Sequence, residues 1–143
     1  MNPMASAVRL PATLASLQPL LGFVLSHAEA AGFGHDRLRE IELVMEEVLV
    51  NVFNYAYPGE PGEVGVTCDV MPDGRLRIEI ADAGVSFDPL NRKDPDLEAD
   101  LAERGIGGLG IFFVKRLIGD VRYCREGGRN ILTLTAGPGV AEP

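Results

Sequence analysis

The chain has only two cysteines, Cys68 and Cys124. That is too few for a disulfide scaffold or a four-thiolate metal site. Reduced thiols in a cytoplasmic protein are the plain reading. No run of about 18 apolar residues occurs, so no membrane span is expected. The opening stretch MNPMASAVRLPATLASLQPLLGFVL lacks a lysine-rich start and is broken by Arg9 and Pro11. No secretory signal is therefore expected. The closing residues Val140-Ala141-Glu142-Pro143 are no lipidation motif. Positive charge is in deficit, with Lys+Arg 13 against Asp+Glu 21 and a formal net charge of -8. Such a surface repels phosphate backbones and excludes duplex nucleic acid as a direct partner. Internal repeats and low-complexity segments are absent.

What is present is an ordinary globular composition. Of 143 residues, 46% are apolar and 24% charged, which argues against overall disorder. The length corresponds to one domain over 1–143, with an ordered core expected over about 8–135. Val8 to Leu10 reads as a first strand ended by Pro11. Leu14, Leu17, Leu20, Leu21, Val24 and Leu25 then recur at helical spacing, opened by Ala12 or Thr13. Pro19 falls inside that pattern and counts against it. Gly32 and Gly34 suit the end of this helix. A second helix is predicted over His35–Tyr57, with Asp36 as its cap. Ile41, Met45, Val48 and Val52 form its apolar stripe, flanked by Val44 and Leu49. Pro58-Gly59 and Pro61-Gly62 end it. Val64–Met71 and Leu76–Ala81 read as a hairpin turned by Pro72-Asp73-Gly74. Ile78 and Ile80 share one face, Arg77 and Glu79 the other, so one face is expected to be buried and one wet.

Regularity lapses from Asp82 to Gly110, apart from a short helical piece near Leu97–Glu103. A connection this long is usually functional. A helix over Ile111–Gly119 follows. A hairpin of Val121–Cys124 and Ile131–Thr135, turned at Gly127-Gly128, closes the pattern. This order implies an α+β two-layer sandwich: a mostly antiparallel sheet with helices on one face.

Three clusters can carry chemistry. Glu46, Glu47, Asn51, Asn54 and Tyr55 lie on the second helix. Glu47, Asn51 and Asn54 fall within about 60° of each other, at the margin of the apolar stripe. A carboxylate there can accept a proton, and an amide oxygen one turn later can ligate Mg²⁺. A solvated helix face is the plain alternative, although Asn is a poor interior helix residue. The second cluster, Asp82-Ala83-Gly84-Val85-Ser86-Phe87-Asp88-Pro89, follows a strand. Its aspartate can read an exocyclic amine, and its glycine admits a flat ligand. An ordinary turn is the alternative. The third, Gly105-Ile106-Gly107-Gly108-Leu109-Gly110, opens a helix. Clustered glycines there expose N–H groups to an anion, and a hinge is the alternative. No Gly-Lys-Ser/Thr follows, so it is no P-loop, and the acidic loop before it argues against a dinucleotide fingerprint.

Taken in order, the clusters supply what a magnesium-bound nucleoside triphosphate needs. The sequence resembles the ATP-binding superfamily of gyrase, heat-shock chaperone, histidine kinase and mismatch-repair ATPases. Within it, the chain is most similar to bacterial anti-sigma-factor serine/threonine kinases. MEEVLVNVFNYAY resembles that family's N box, IADAGVSFDP its G1 box and ERGIGGLGIFFVKRL its G2 box. VRYCREGGRNILTLT resembles its closing hairpin. The similarity runs from about Val8 to Thr135. It implies a Bergerat-type ATP-binding fold, with Glu47 as general base and Asn51 as Mg²⁺ ligand. It implies that Asp82 reads the adenine amino group beside Gly84, and that Gly105, Gly107, Gly108 and Gly110 surround the phosphates. Asn54, Phe87 and Leu109 complete the implied nucleotide contacts. Ser86 departs from the glycine often found there, and Asn130 stands where relatives often place Thr or Asn near the adenine.

The activity implied is phosphoryl transfer from ATP to a Ser or Thr of a small anti-sigma-factor antagonist, with a sigma factor as second partner. The loop over about 88–104 would be a lid, and Arg104 and Lys115 would contact phosphate or be plain surface cations. Three rivals are weighed. An ATPase domain detached from a larger machine is one, and the chain is too short to carry the transducer domain such machines need. A sensor histidine kinase needs a phosphoacceptor on a dimerisation helix, and only His27 and His35 exist, both read as surface or capping residues. A nucleotide-gated interaction module would bind ATP and a regulator without phosphorylating it and could dispense with Glu47. The first helix carries more apolar positions than one sheet face requires, so a homodimer is also expected.

Overall fold

The computed structural model describes residues 6–86 and 114–139. Its elements are β1 (Ser6–Pro11), a 3₁₀ turn (Leu14–Ser16), α1 (Leu17–Ala30), α2 (His35–Tyr55), β2 (Glu63–Val70), β3 (Leu76–Asp82), β4 (Asp120–Glu126) and β5 (Arg129–Ala136). A short helical segment, 114–118, precedes β4. The five strands lie in the order β1-β2-β3-β5-β4, and each neighbouring pair is antiparallel. This is the α+β architecture expected. The sequence-predicted helical piece at 97–103, the lid at 88–104 and the start of the helix at 111 lie outside the described residues.

Both helices form because their apolar residues repeat at helical spacing. Leu17, Leu20, Leu21, Val24 and Ala28 are buried on α1. Ile41, Val44, Met45, Val48 and Leu49 are buried on α2. They meet Val64, Val66 and Cys68 of β2, Ile78 and Ile80 of β3, and Leu132 and Leu134 of β5 in one core. The apolar surplus read on α1 is therefore absorbed inside the chain, by α2 as well as by the sheet. Leu14, in the 3₁₀ turn, is the member left largely exposed, at 70%. Val52 is only partly buried. The homodimer expectation gains no support from α1.

Pro19 is no flaw. It is the third residue of α1, within the first turn, where backbone N–H groups have no helical acceptor in any case. The end of α1 is set by Gly32 at φ 90°. The Gly32 N–H donates to Glu29 O at 3.0 Å and the Phe33 N–H to Ala28 O at 3.1 Å, the paired bonds of a Schellman ending. The cap of α2 is Gly34 with extended backbone, not Asp36, which sits in the first turn and makes no cap bond. Its charge still suits the positive end of the helix dipole. The helix also stops at Tyr55, two residues before the expected end.

The hairpins follow their turns. Gly127 and Gly128, at φ 58° and 76°, form the two-residue connection that twisted strands favour. They thereby pair Glu126 with Arg129 and Arg125 with Asn130. On the open face Asp69 and Arg77, directly opposite across β2 and β3, form a two-bond pair at 3.1 and 3.0 Å.

Arg37 ties three distant elements together. Its Nε donates to Gly137 O at 2.9 Å and its Nη1 to Leu117 O at 2.8 Å and to Glu40 at 3.1 Å. Its side chain is only 12% exposed. It thus joins the start of α2 to the end of the 114–118 segment and to the exit of β5. Arg37→Ala leaves two carbonyls without these donors. It is expected to destabilise the fold by roughly 2–3 kcal/mol, read as a lowered denaturant midpoint at unchanged slope.

Candidate functional site

Helix α2 positions Glu47 and Asn51 one turn apart on its inward side. Asn51 is 4% exposed, unusual for a polar residue in a helix interior. Glu47 is half-buried and the neighbouring Glu46 is exposed. Glu47 Oε1 and Asn51 Nδ2 are both buried and have no hydrogen-bond partner among the described residues. Buried polar groups are normally paired, so two orphans one turn apart mark a place prepared for something else. Burial, and secondarily the charge of Glu46, push the Glu47 carboxyl above its ordinary value. Burial disfavours the charged form. Asn54, grouped with these residues on the sequence wheel, is exposed.

The loop after β3 is fastened to the far end of the same helix. The Val85 N–H donates to Ala56 O at 2.8 Å. Gly84 packs so closely here that a Cβ would fall within 2.7 Å of Ala56 Cβ and closer still to its carbonyl. The glycine thus has a reason not foreseen from sequence: it lets the end of α2 touch the loop. Tyr57 adds a second fastening. Its hydroxyl accepts the Ala83 N–H at 2.8 Å and donates to Glu63 O at 2.6 Å. Gly62 leaves room for its ring. By helix rise, Asn51 lies about 7 Å and Glu47 about 13 Å along the axis from Ala56.

Asp82 ends β3 on the core side, 7% exposed. Its Oδ1 accepts the Gly84 N–H at 2.9 Å and the Asn130 Nδ2 at 2.9 Å. Asn130 faces Asp82 across the β3–β5 pair and is itself 6% exposed. Its amide also donates to Val85 O at 2.7 Å. Its oxygen accepts from Tyr123 Oη at 2.6 Å and from Arg125 Nη1 at 3.1 Å. Arg125 Nη1 reaches Gly84 O at 2.8 Å as well.

The fold thus brings Asp82 and Gly84 against the end of the helix that carries Glu47 and Asn51. Ser86 is exposed, and Lys115 is half-buried on the 114–118 segment. Phe87, Arg104, Gly105, Gly107, Gly108, Leu109 and Gly110 lie outside the described residues. Sequence reasoning missed Tyr57, Tyr123 and Arg125. For the last two a signal existed: the Gly-Gly turn sets the β4–β5 register, and period two places both on the Asn130 face. Among the described residues, no helix is long and apolar enough to cross a membrane.

The architecture is thus a five-stranded antiparallel sheet with two helices packed on it, Glu47 and Asn51 on the second helix and Asp82 and Gly84 at that helix's end. The chain belongs to the family of histidine kinase-like ATPase domains, whose model matches residues 10–136. It is similar to the serine-protein kinase RsbW of Listeria monocytogenes, 32% identical over 112 residues, covering 74% of this chain and 71% of that protein. The serine-protein kinase RsbW of Bacillus cereus is 28% identical over 109 residues, covering 73% and 68%. Among solved structures, the RsbU and RsbW domains of Rv1364c from Mycobacterium tuberculosis superpose with a TM-score of 0.64 at 18% identity, over 93% of this chain and 32% of that one. The blue-light activated histidine kinase of Erythrobacter litoralis superposes with a TM-score of 0.53 at 21% identity, over 84% and 41%. These two share the fold, and the chain spans less than half the length of either.

Proposed function

We propose that the chain is an ATP-dependent serine/threonine protein kinase and anti-sigma factor. Its substrate would be a small anti-sigma-factor antagonist and its second partner a sigma factor. The observation that carries the reading is the orphaned pair on α2, Glu47 Oε1 and Asn51 Nδ2, set one turn apart in a family of ATPase domains. The named relatives, serine-protein kinases, support the choice of a hydroxyl acceptor.

In this reading Glu47 takes the proton of the incoming Ser or Thr hydroxyl. The hydroxyl oxygen bonds to the γ-phosphorus as the bond to the β-phosphate oxygen breaks, and ADP leaves. Such chemistry is mainly positioning and charge stabilisation. A raised carboxyl value brings the base nearer to working pH. Asp82 holds the base of ATP through its remaining oxygen. Gly105, Gly107, Gly108 and Gly110 line the phosphates, with Phe87, Leu109 and Asn54 as further nucleotide contacts, and 88–104 closes as a lid.

Asn51 fits Mg²⁺. Its side chain is buried with one orphaned position, and a half-turn of the amide exchanges nitrogen for oxygen there, the donor that Mg²⁺ takes. Bound Mg²⁺ would neutralise phosphate charge. Asn51→Ala is expected to lower Mg²⁺-dependent ATP affinity about tenfold without loss of stability, since it removes an unsatisfied group. Calorimetric titrations with and without a chelator check this, and an undiminished metal dependence in the variant removes the assignment.

The deciding experiment is an ATP–Mg²⁺ titration, followed by labelled ATP with candidate antagonist proteins. Label moving to a partner Ser or Thr is the expected result. ATP binding without transfer to its cognate antagonist would instead identify a nucleotide-gated interaction module. Absence of ATP binding would overturn both.

A further inference from the structure

Arg125, Asn130 and Asp82 form one row across β4, β5 and β3. In this row each group dictates the orientation of the next. Arg125 has donors and no acceptor, so the Asn130 atom set 3.1 Å from it must be the oxygen. The Tyr123 hydroxyl, at 2.6 Å, completes that oxygen's two acceptor positions. The amide nitrogen is thereby turned to Asp82 Oδ1 and Val85 O, and both its hydrogens are used. These four bonds engage both ends of the Asn130 amide. What it does is hold Asp82: together with the Gly84 N–H it occupies Oδ1 and fixes the plane of the carboxylate.

We infer that Tyr123 and Arg125, on the edge strand, act through Asn130 as specificity-determining positioning residues of the nucleobase pocket. They orient Asp82 so that it offers a single acceptor, Oδ2, to the base. That acceptor selects a ring bearing an amino group, such as adenine, and rejects one bearing a carbonyl at the same place, such as guanine. Without the two donors the amide is held through its nitrogen alone, by Asp82 Oδ1 and Val85 O. Its buried oxygen is then unpaired, the side chain can shift, and the carboxylate loses its fixed plane. Arg125 further strengthens the arrangement by holding Gly84 O at 2.8 Å, on the loop that carries the pocket. The inference rests on the reading of Asp82 as the base contact.

The test compares ATP and GTP affinities of the full chain for the wild type, Tyr123→Phe/Arg125→Met and Tyr123→Phe/Arg125→Lys. Arg125 is exposed, so these variants are expected to fold. The Phe/Met variant should lower the ATP:GTP affinity ratio about tenfold, the worth of one well-placed polar contact. The Phe/Lys variant, which restores a cationic donor, should recover most of that ratio. Asn130→Asp is the second probe: with Tyr123 and Arg125 intact it sets a carboxylate against Asp82 and should abolish the preference. Equal loss of ATP and GTP affinity in the Phe/Met variant, or an unchanged ratio, would overturn the inference and leave a structural role only. A wild type that binds ATP and GTP equally would also overturn it. A wild type that binds neither nucleotide would overturn the nucleotide-site reading beneath it, and this inference with it.

Discussion

Glu47→Gln is expected to leave ATP–Mg²⁺ affinity close to wild type and to reduce phosphoryl transfer by about 10²–10⁴-fold, the usual contribution of a positioned base. Glutamine keeps the shape of the side chain and loses the proton acceptor. Single-turnover transfer at saturating ATP reads the effect, and a variant that transfers at the wild-type rate would sink the base assignment. The raised carboxyl value adds two further signs. Wild-type transfer should decline as pH falls through the folded-state value, because the base must be ionised. Stability should behave in the opposite sense. Between the unfolded and the raised folded value, the folded chain holds a proton that the unfolded chain has released, so this group's contribution falls as pH rises through that window. Glutamine abolishes that loss. The variant should therefore unfold at a higher temperature than wild type above the window, with the difference shrinking below it. A residue kept for stability alone would not behave this way.

Gly84→Ala carries the second large effect. The added methyl meets the backbone of Ala56, and backbone at the end of a 21-residue helix cannot swing aside as a side-chain tip would. The Val85-to-Ala56 bond and the Gly84-to-Asp82 bond lie within one residue of the clash. Overpacking of this kind costs roughly 1–3 kcal/mol. The displaced loop should also cut ATP affinity by at least about tenfold, since Asp82 loses the N–H that steadies Oδ1. Gly22→Ala is the control. Gly22 lies inside α1, where an added methyl group would meet no atom within 4 Å. Alanine there should stabilise by roughly 0.5–1 kcal/mol. Thermal unfolding and ATP titration of the two variants together separate the collision from a general effect of the substitution. Equal behaviour of the pair would contradict the packing at Gly84.

Much of this was legible in the chain. The apolar spacing of Ile41, Val44, Met45, Val48 and Leu49 specifies a helix and the face it buries, because 3.6-residue periodicity is a local property. Alternation at Ile78 and Ile80 and the turns at Gly74 and Gly127-Gly128 specify hairpins for the same reason. The order of these elements implies the sheet-and-helix architecture, and the spacing of Glu47 from Asn51 places both on one side of α2. Other features depended on contacts between residues distant in sequence. The apolar surplus of α1 is absorbed by α2, which periodicity cannot foresee. Gly84 serves the end of α2, Tyr57 joins β2 to the loop after β3, and Arg125 steers Asp82 through an asparagine on another strand. Periodicity assigns a residue its face. Only the packed fold decides which distant group comes to stand against that face, and here those neighbours give Glu47 its unpaired carboxyl oxygen and Asp82 its fixed orientation.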